Sequence, residues 1–549
     1  MEGIQELEHI HLDLGLTTKL LIMKALKFKK ITLLFNIIIL FSIVSCEDIL
    51  DEEPFVEIST ESFYQNQSDA IAALNAAYAQ LKNGNGYYRQ RYLSNLFASS
   101  DQGVSSFQHG NFRRGTIDNS DPNLSANWIQ IYVAIKDANN VIKRVAETVN
   151  IDDEVRNRII GEAKFLRALH YFNLARSFGE VPLRTEPVQP GEDGLPKSPI
   201  NEIYDQIIED LEFATTHCWG FNESRGNLTN ETGRVTKASA HAMLAKVYLQ
   251  MASSKRTALA GNSGNAIYNK LTDSHTSYYQ KAKEECDFAL AESGYQLVSN
   301  IEDWINLFEA SNGNNSEMLF DIQGSSIAGQ GTAVSNLFSP RNAGLSGGGF
   351  GGTNRLQPRF INNNIDKTDL RFQNSIIKEY QDETLTYNIT PGSTGYFRTI
   401  TSTGVTRPTL FVVFTSKYID TDATTEYTSQ QNWHVIRLAE VYLMRAEALA
   451  EINQNPAMAN TDLTMLRTRV GMPGFVGDAM SMEDFRRAIL RERAAELFAE
   501  GHRFFDLTRM GVYDELCRVA FGNTIGARGP EDYTWPIPLV ESAANPNID

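Results

Sequence analysis

Residues 435–450 read Val-Ile-Arg-Leu-Ala-Glu-Val-Tyr-Leu-Met-Arg-Ala-Glu-Ala-Leu-Ala. Ala439, Leu443, Ala446 and Ala450 recur at spacings of three and four, the period of one helix face. Small side chains on that stripe let a second helix backbone approach closely. The stretch 236–252 repeats the device with Ala238, Ala242, Ala245 and Leu249. Working outward, Ile131, Ile135, Ala138, Ile142 and Val145 mark one face of a helix within 129–145. Helical spacing also runs through 155–178, 201–214, 278–292, 460–471 and 482–500, so the helix of the opening stretch is expected over 435–452. The expected fold is mostly α, a scaffold of tetratricopeptide-like helix pairs: 236–252 with 278–292, and 435–452 with 460–471. No clean repeat of about 34 residues appears, so a regular solenoid is not expected.

Between about 310 and 430 the pattern changes. Gly, Asn, Ser and Thr abound, as in 344–354, interrupted by short apolar pieces such as Met318-Leu319-Phe320 and 410–414. This reads as ordered, functional loops with a few strands, a minor-β face carried on the helices.

Composition narrows the function. The 549 residues are 42% hydrophobic and 21% charged, as in a folded globular protein. Fifty Lys and Arg stand against 67 Asp and Glu, a formal charge of −17 that disfavours nucleic acid as a partner. Cysteines fall only at 46, 218, 286 and 517, with no Cys-x-x-Cys pair, so neither a zinc ribbon nor a disulfide scaffold is expected. Cys286, on a helical alanine stripe, reads as a buried small hydrophobe.

The first 45 residues read as a signal peptide. Lys24, Lys27, Lys29 and Lys30 precede an apolar run, 31–44, shorter than the ~20 residues a spanning helix needs. The run closes on Ile43-Val44-Ser45-Cys46, a loose form of the box at which bacterial lipoproteins are cleaved and acylated. Cys46 is thus the expected lipid attachment point, followed by an acidic tether of Glu47, Asp48, Asp51, Glu52 and Glu53. The acidic residues Glu2, Glu6, Glu8 and Asp13 do not suit a signal peptide, and Met23 is the better start.

Several stretches then carry a resemblance. They are 161–182, GEAKFLRALHYFNLARSFGEVP; 233–249, GRVTKASAHAMLAKVYL; 316–320, SEMLF; 435–450, quoted above; 489–509, ILRERAAELFAEGHRFFDLTR; and 533–538, YTWPIP. In this order, and with the lipidation box, they resemble the SusD/RagB family of outer-membrane nutrient-binding lipoproteins. The resemblance implies an N-terminal region over 46–232, a helix-pair region over 233–309 and a C-terminal region over 310–549. It also implies a SusC-type TonB-dependent transporter as partner, an oligosaccharide or, in some members, a peptide as ligand, and anchorage in outer-membrane lipid facing the cell exterior. No catalysis and no cofactor are implied, and a calcium ion bridging site loops stays open.

A neutral glycan offers apolar C–H faces and many hydroxyls, so its site needs aromatic faces bordered by polar side chains. Residues 83–92, Asn-Gly-Asn-Gly-Tyr-Tyr-Arg-Gln-Arg-Tyr, supply Tyr87, Tyr88, Arg89 and Arg91 after flexible glycines. Residues 100–112 supply Asp101, Phe107, His109 and Phe112. The expected ligand residues are Tyr87, Tyr88, Arg91, Asp101, Phe107, His109 and Trp219, with Phe221, Phe338 and Phe350 behind them; Trp304, on a helical run, reads as core.

The remaining chemistry has blander readings. Arg491, Glu492, Arg493, Glu496, Glu500, His502, Arg503 and Asp506 alternate in sign at helical spacing and read as a structural ion-pair network. Their rival role is a glycosidase carboxylate pair. Gly347 to Gly352 satisfies a Gly-x-Gly-x-x-Gly pattern without the strand and helix that would make it a dinucleotide site. The histidines show no His-Glu-x-x-His zinc pattern. A lipid-anchored glycoside hydrolase and a purely structural partner of the barrel remain the rival functions.

Overall fold

The computed structural model describes residues 63–548, apart from 107–108, 190, 193, 226–227, 262–263, 347–350, 383–384, 392–395 and 409–412. The expected signal peptide, Cys46 and the acidic stretch after it lie outside the described residues, as do Phe107 and Phe350.

The longer helices are α1 (Gln67–Ala79), α2 (Arg91–Ser99), α3 (Pro122–Glu147), α4 (Asp153–Phe178), α5 (Ile200–His217), α6 (Lys237–Leu259), α7 (His275–Ala291), α8 (Leu438–Asn453), α9 (Asn460–Thr468), α10 (Met482–Glu496) and α11 (Tyr513–Phe521). Their starts follow local chemistry. Asp121 and Asp152 accept backbone N–H groups at the openings of α3 and α4, and Pro122 occupies the first turn of α3. Thr236 and Ser239 form a reciprocal capping box on α6. At the far end of α4, Gly179 takes a φ of +79°, which stops the helix without strain.

Each helix from α3 to α7 packs on the next, and α7 then packs on α8 across the long intervening segment. The expected pairs form, α6 with α7 and α8 with α9. The alanine stripe is the reason: Ala439, Leu443, Ala446 and Ala450 are sealed in one cluster with Leu463, Leu466, Phe485 and Ile489. The residues from Tyr64 onward form one compact unit.

Helix 435–452 needs a correction. Its first residues belong to a strand, Trp433–Arg437, and only Leu438 onward is helical. That strand pairs antiparallel with Met318–Ile322, setting Ile436 opposite Phe320 and Arg437 opposite Met318. All five of its side chains are buried, so the short apolar run carries no period that separates strand from helix.

In chain order the strands are β1 (Gly103–Val104), β2 (Ser224–Arg225), β3 (Leu228–Thr229), β4 (Met318–Ile322), β5 (Arg355–Leu356), β6 (Glu379–Asp382), β7 (Leu385–Pro391), β8 (Tyr396–Ile400), β9 (Val405–Pro408) and β10 (Trp433–Arg437). β6 to β9 make an antiparallel meander, and β1 pairs with β5, tying the loop after α2 to the irregular region. The minor-β expectation for 310–430 is therefore met by short ladders rather than by one sheet.

Cys218, Cys286 and Cys517 are free and buried. Burial raises all three thiols above their ordinary value, that of Cys517 to about 12. Among the described residues no helix is long and apolar enough to cross a membrane.

Candidate ligand-binding face

The loop between α1 and α2 was expected to hold out its tyrosines, and the structure turns them inward. Tyr87 is fully buried: its hydroxyl meets His170 Nδ1 at 3.1 Å and accepts from Asn173 Nδ2 at 2.7 Å. Asn173 Nδ2 also donates to the Tyr88 hydroxyl at 2.6 Å, and the rings of Tyr87, Tyr88 and Tyr92 pack on one another. The glycines explain the error. They were read as flexible, yet a side chain on Gly86 would collide with the backbone of Ala126 on α3, so this glycine serves a tight backbone approach.

The other expected residues follow a similar course. Asp101 is buried and takes a two-pronged bond from Arg503, Nε at 2.8 Å and Nη2 at 2.9 Å. His109 is buried against Asn95 Oδ1 at 2.6 Å, and burial pushes its pKa down to about 4. Trp219 is also buried, with Arg158 lying 4.5 Å over its ring. Phe112 and Phe338 are interior as well. Tyr87, Tyr88, Asp101, His109 and Trp219 thus present no face to solvent. Arg91 remains half-buried at the surface, its Nη1 3.4 Å from the Pro122 carbonyl. Trp304 is core, as its helical setting indicated, and its Nε1 donates to Glu496 Oε1 at 3.0 Å.

What the loop does present is Arg89. Its guanidinium lies 3.9 Å over the ring of Tyr427 and donates to the Gly329 carbonyl at 3.1 Å. Beside it Gln90 Nε2 donates to Glu426 Oε1 at 3.1 Å. Lys82 bridges the carbonyls of Gln323 and Gln330 at 2.6 and 2.5 Å. These bonds clamp 82–91 against 323–330 and 426–427. The result is a surface with a half-buried aromatic plane, a charged fork and amide side chains, including Asn83 and Asn85. Burial raises the Glu426 carboxyl above its ordinary range. Tyr427 escaped the sequence reading because nothing local in a Thr-rich loop marks it as the partner of Arg89, far away in the chain.

Apart from the exposed Arg491, the charged residues of 489–509 are interior. Glu496 receives Arg437 Nη1 and Arg469 Nη2 at 2.7 Å and Arg371 Nη1 at 2.8 Å. Burial alone would raise its pKa, but the three guanidinium groups outweigh that and hold it well below the usual carboxylate range. Glu500 sits between Arg437 Nε at 2.8 Å and Lys417 Nζ at 2.7 Å; the same contest leaves it at about 2. Arg509 grips Glu447 on α8, and Arg493 bridges Asp506 and Glu440. The motif is a buried clasp joining α10, α8 and β10, as the network reading held.

An open cavity of about 320 Å³ lies over part of this clasp, lined by Asp366, Asp369, Arg467, Phe475, Arg491 and Glu492 among others. Its carboxylates are occupied. Asp369 and Glu492 bind Arg371, and Asp366 is held below its ordinary range by hydrogen bonds from Thr368. A general acid would need a raised carboxyl instead. Among the described residues no cluster of three or more His, Cys, Asp or Glu could hold a metal ion.

A ladder of paired helices carrying an irregular loop face defines a binding scaffold. A family profile described as the SusD family matches residues 264–549, more than half of the sequence, and the chain belongs to that family. A second profile, described as starch-binding associating with outer membrane, matches 48–249. A SusD-like protein of Formosa agariphila is 27% identical over 543 residues, covering 93% of this chain and 97% of its own. A solved laminarin-binding SusD-like protein superposes with a TM-score of 0.66 at 26% identity, covering 88% of this chain and 99% of that one. A SusD homolog from Bacteroides thetaiotaomicron shares the fold, with a TM-score of 0.71 at 21% identity over 90% of this chain and 98% of its own.

Proposed function

We propose that this protein is an outer-membrane lipoprotein, anchored through acylated Cys46, that captures oligosaccharides at the cell exterior and passes them to a SusC-type TonB-dependent transporter. The observation that carries the glycan reading is the likeness, over nearly the whole fold, to a protein described as binding laminarin. The Arg89–Tyr427 surface supplies the chemistry: an aromatic plane for the apolar face of a sugar and amide and guanidinium groups for its hydroxyls. Arg91 stands beside it in sequence as a further candidate. Membrane attachment rests on the lipidation box and on the outer-membrane description of the profile matching 48–249.

The protein works as a receptor rather than a hydrolase, since Glu492 and Glu496 are committed to arginines. Calorimetric titration with glycan and peptide panels tests this. Saturable glycan binding that weakens about tenfold in Tyr427→Ala, with an unchanged melting temperature, is the expected result. Binding of peptides alone, or sustained release of sugar products, would overturn it.

A further inference from the structure

Most interior arginines of this acidic chain are matched to carboxylates, as Arg371, Arg437, Arg503 and Arg509 show. Arg176, near the end of α4, is 9% exposed and has no ion pair with a carboxylate among the described residues. The rings of Phe172 and Phe505 lie 4.0 and 3.8 Å from its guanidinium, which leaves hydrogen bonding to the edge of the plane. Along that edge Nη2 donates to Asn173 Oδ1 at 2.6 Å.

Arg176 lines a cavity of about 20 Å³, room for one water-sized particle, together with Lys246 of α6, Glu440 of α8, Arg493 of α10, His502 and Asp506. Counted with Arg509, that wall carries four cationic groups against two carboxylates. Glu447 takes Arg509 from behind, so one positive charge is left over. The carboxylates are already bonded. Glu440 accepts from Lys246 Nζ at 2.9 Å and Arg493 Nη2 at 3.1 Å, and Asp506 from Arg493 Nε at 2.9 Å and Arg509 Nε at 3.1 Å. Among the described residues, the unpartnered buried side-chain atoms on this wall are Arg176 Nε and Arg493 Nη1, both donors.

His502 adds a third. Lys246 Nζ meets its Nδ1 at 3.2 Å, and an ammonium has only hydrogens to give, so Nδ1 accepts and the proton sits on Nε2. Burial, then the charge of Lys246, holds the His502 pKa well below its ordinary value and keeps the ring neutral. Burial also lowers Lys246 to about 8; Glu440 opposes the shift and Arg176 adds to it. A water here would accept from these donors but bring two hydrogens to carboxylates already taken. A halide brings none and supplies the missing negative charge. A second cavity of about 20 Å³ shares Arg176, Lys246 and His502. A third, of about 10 Å³, runs from Arg176 and Gln250 to the half-buried Asn265 and Thr534, a route for a small ion.

We propose that the cavity between Arg176, Arg493 and His502 is a site for one monovalent anion of chloride size, which ties α4 to α6 and α10. This site is independent of the sugar-binding face.

Diffraction at the bromine absorption edge, from crystals of the protein grown in bromide, tests the proposal. An anomalous peak in this cavity is expected; an ordered water there instead overturns the site with no variant needed. In solution, replacing gluconate by chloride at constant ionic strength should raise the melting temperature by about 2–3 °C and then saturate, since gluconate is too large for the space. Arg176→Met keeps the bulk of the stem and removes the charge, and it is expected to melt alike in the two salts. A chloride gain that is absent from the parent, or that survives in folded Arg176→Met, overturns the site. Should that variant fail to fold, the bromide map still decides.

Discussion

Replacing Glu496 by Gln removes one negative charge from the centre of the buried clasp and leaves the volume unchanged. Three guanidinium groups, from Arg371, Arg437 and Arg469, then share what remains: Asp369, Glu492, Glu500 and Glu317. Removing one partner of a buried ion pair costs about 3–5 kcal/mol. The Gln amide oxygen still accepts, which places this variant near the lower bound. Unfolding entropy of about 2.1 cal/mol/K per residue gives a unit of roughly 490 residues about 1 kcal/mol/K at its midpoint. The melting temperature should therefore fall by about 3 °C, and further in Glu496→Ala, where a cavity adds to the loss. Differential scanning calorimetry measures this against the exposed control Glu302→Gln. Adding Arg437→Met to Glu496→Gln should recover part of the loss, since it removes one stranded charge. A Glu496→Gln protein that melts within about 1 °C of the parent and yet loses a sugar-cleaving activity would refute the reasoning and restore the catalytic reading of this carboxylate.

Other outcomes are open to direct measurement. Tyr87→Ala should destabilise by about 3 kcal/mol or more, seen as a lowered urea midpoint, because it empties a buried ring site and strands Asn173 and His170; an unchanged midpoint would return Tyr87 to the surface. Glu500 has a folded pKa of about 2 against an ordinary 4.5, so its contribution is complete above pH 4.5 and is lost as the pH falls toward 2. Thermal melts across that window should show a steady decline that Glu500→Gln flattens. Cys46→Ala should release the protein from the membrane fraction, as the proposed acyl anchor requires; retention through a high-salt wash would count against lipidation.

The helix ladder was legible because alanine stripes state both the period and the closeness of the partner, as Ala446 and Ala450 show in their sealed cluster. Arg437 was not placed correctly, since a fully buried strand and a buried helix start share one apolar pattern. The binding face was misread for a related reason. Glycines beside aromatic residues fit an open loop or a tight backbone contact equally well, and at Gly86 it is the contact that forms. Arg89 and Tyr427 meet only through the tertiary fold. The clasp, by contrast, declared itself through alternating signs at helical spacing, although its acceptor Glu317, just before β4, and its donor Arg437 on β10 had no local sign.

The three sealed thiols of the described fold carry a practical consequence. Outside the cytoplasm a chain with Cys218, Cys286 and Cys517 faces the hazard of wrong cross-linking, and deep enclosure of each sulfur removes it without any bridge being formed. A maleimide dye added to the native protein should stay dark and brighten only as the helices part, which turns these sulfurs into built-in reporters of opening at three separate places along the ladder.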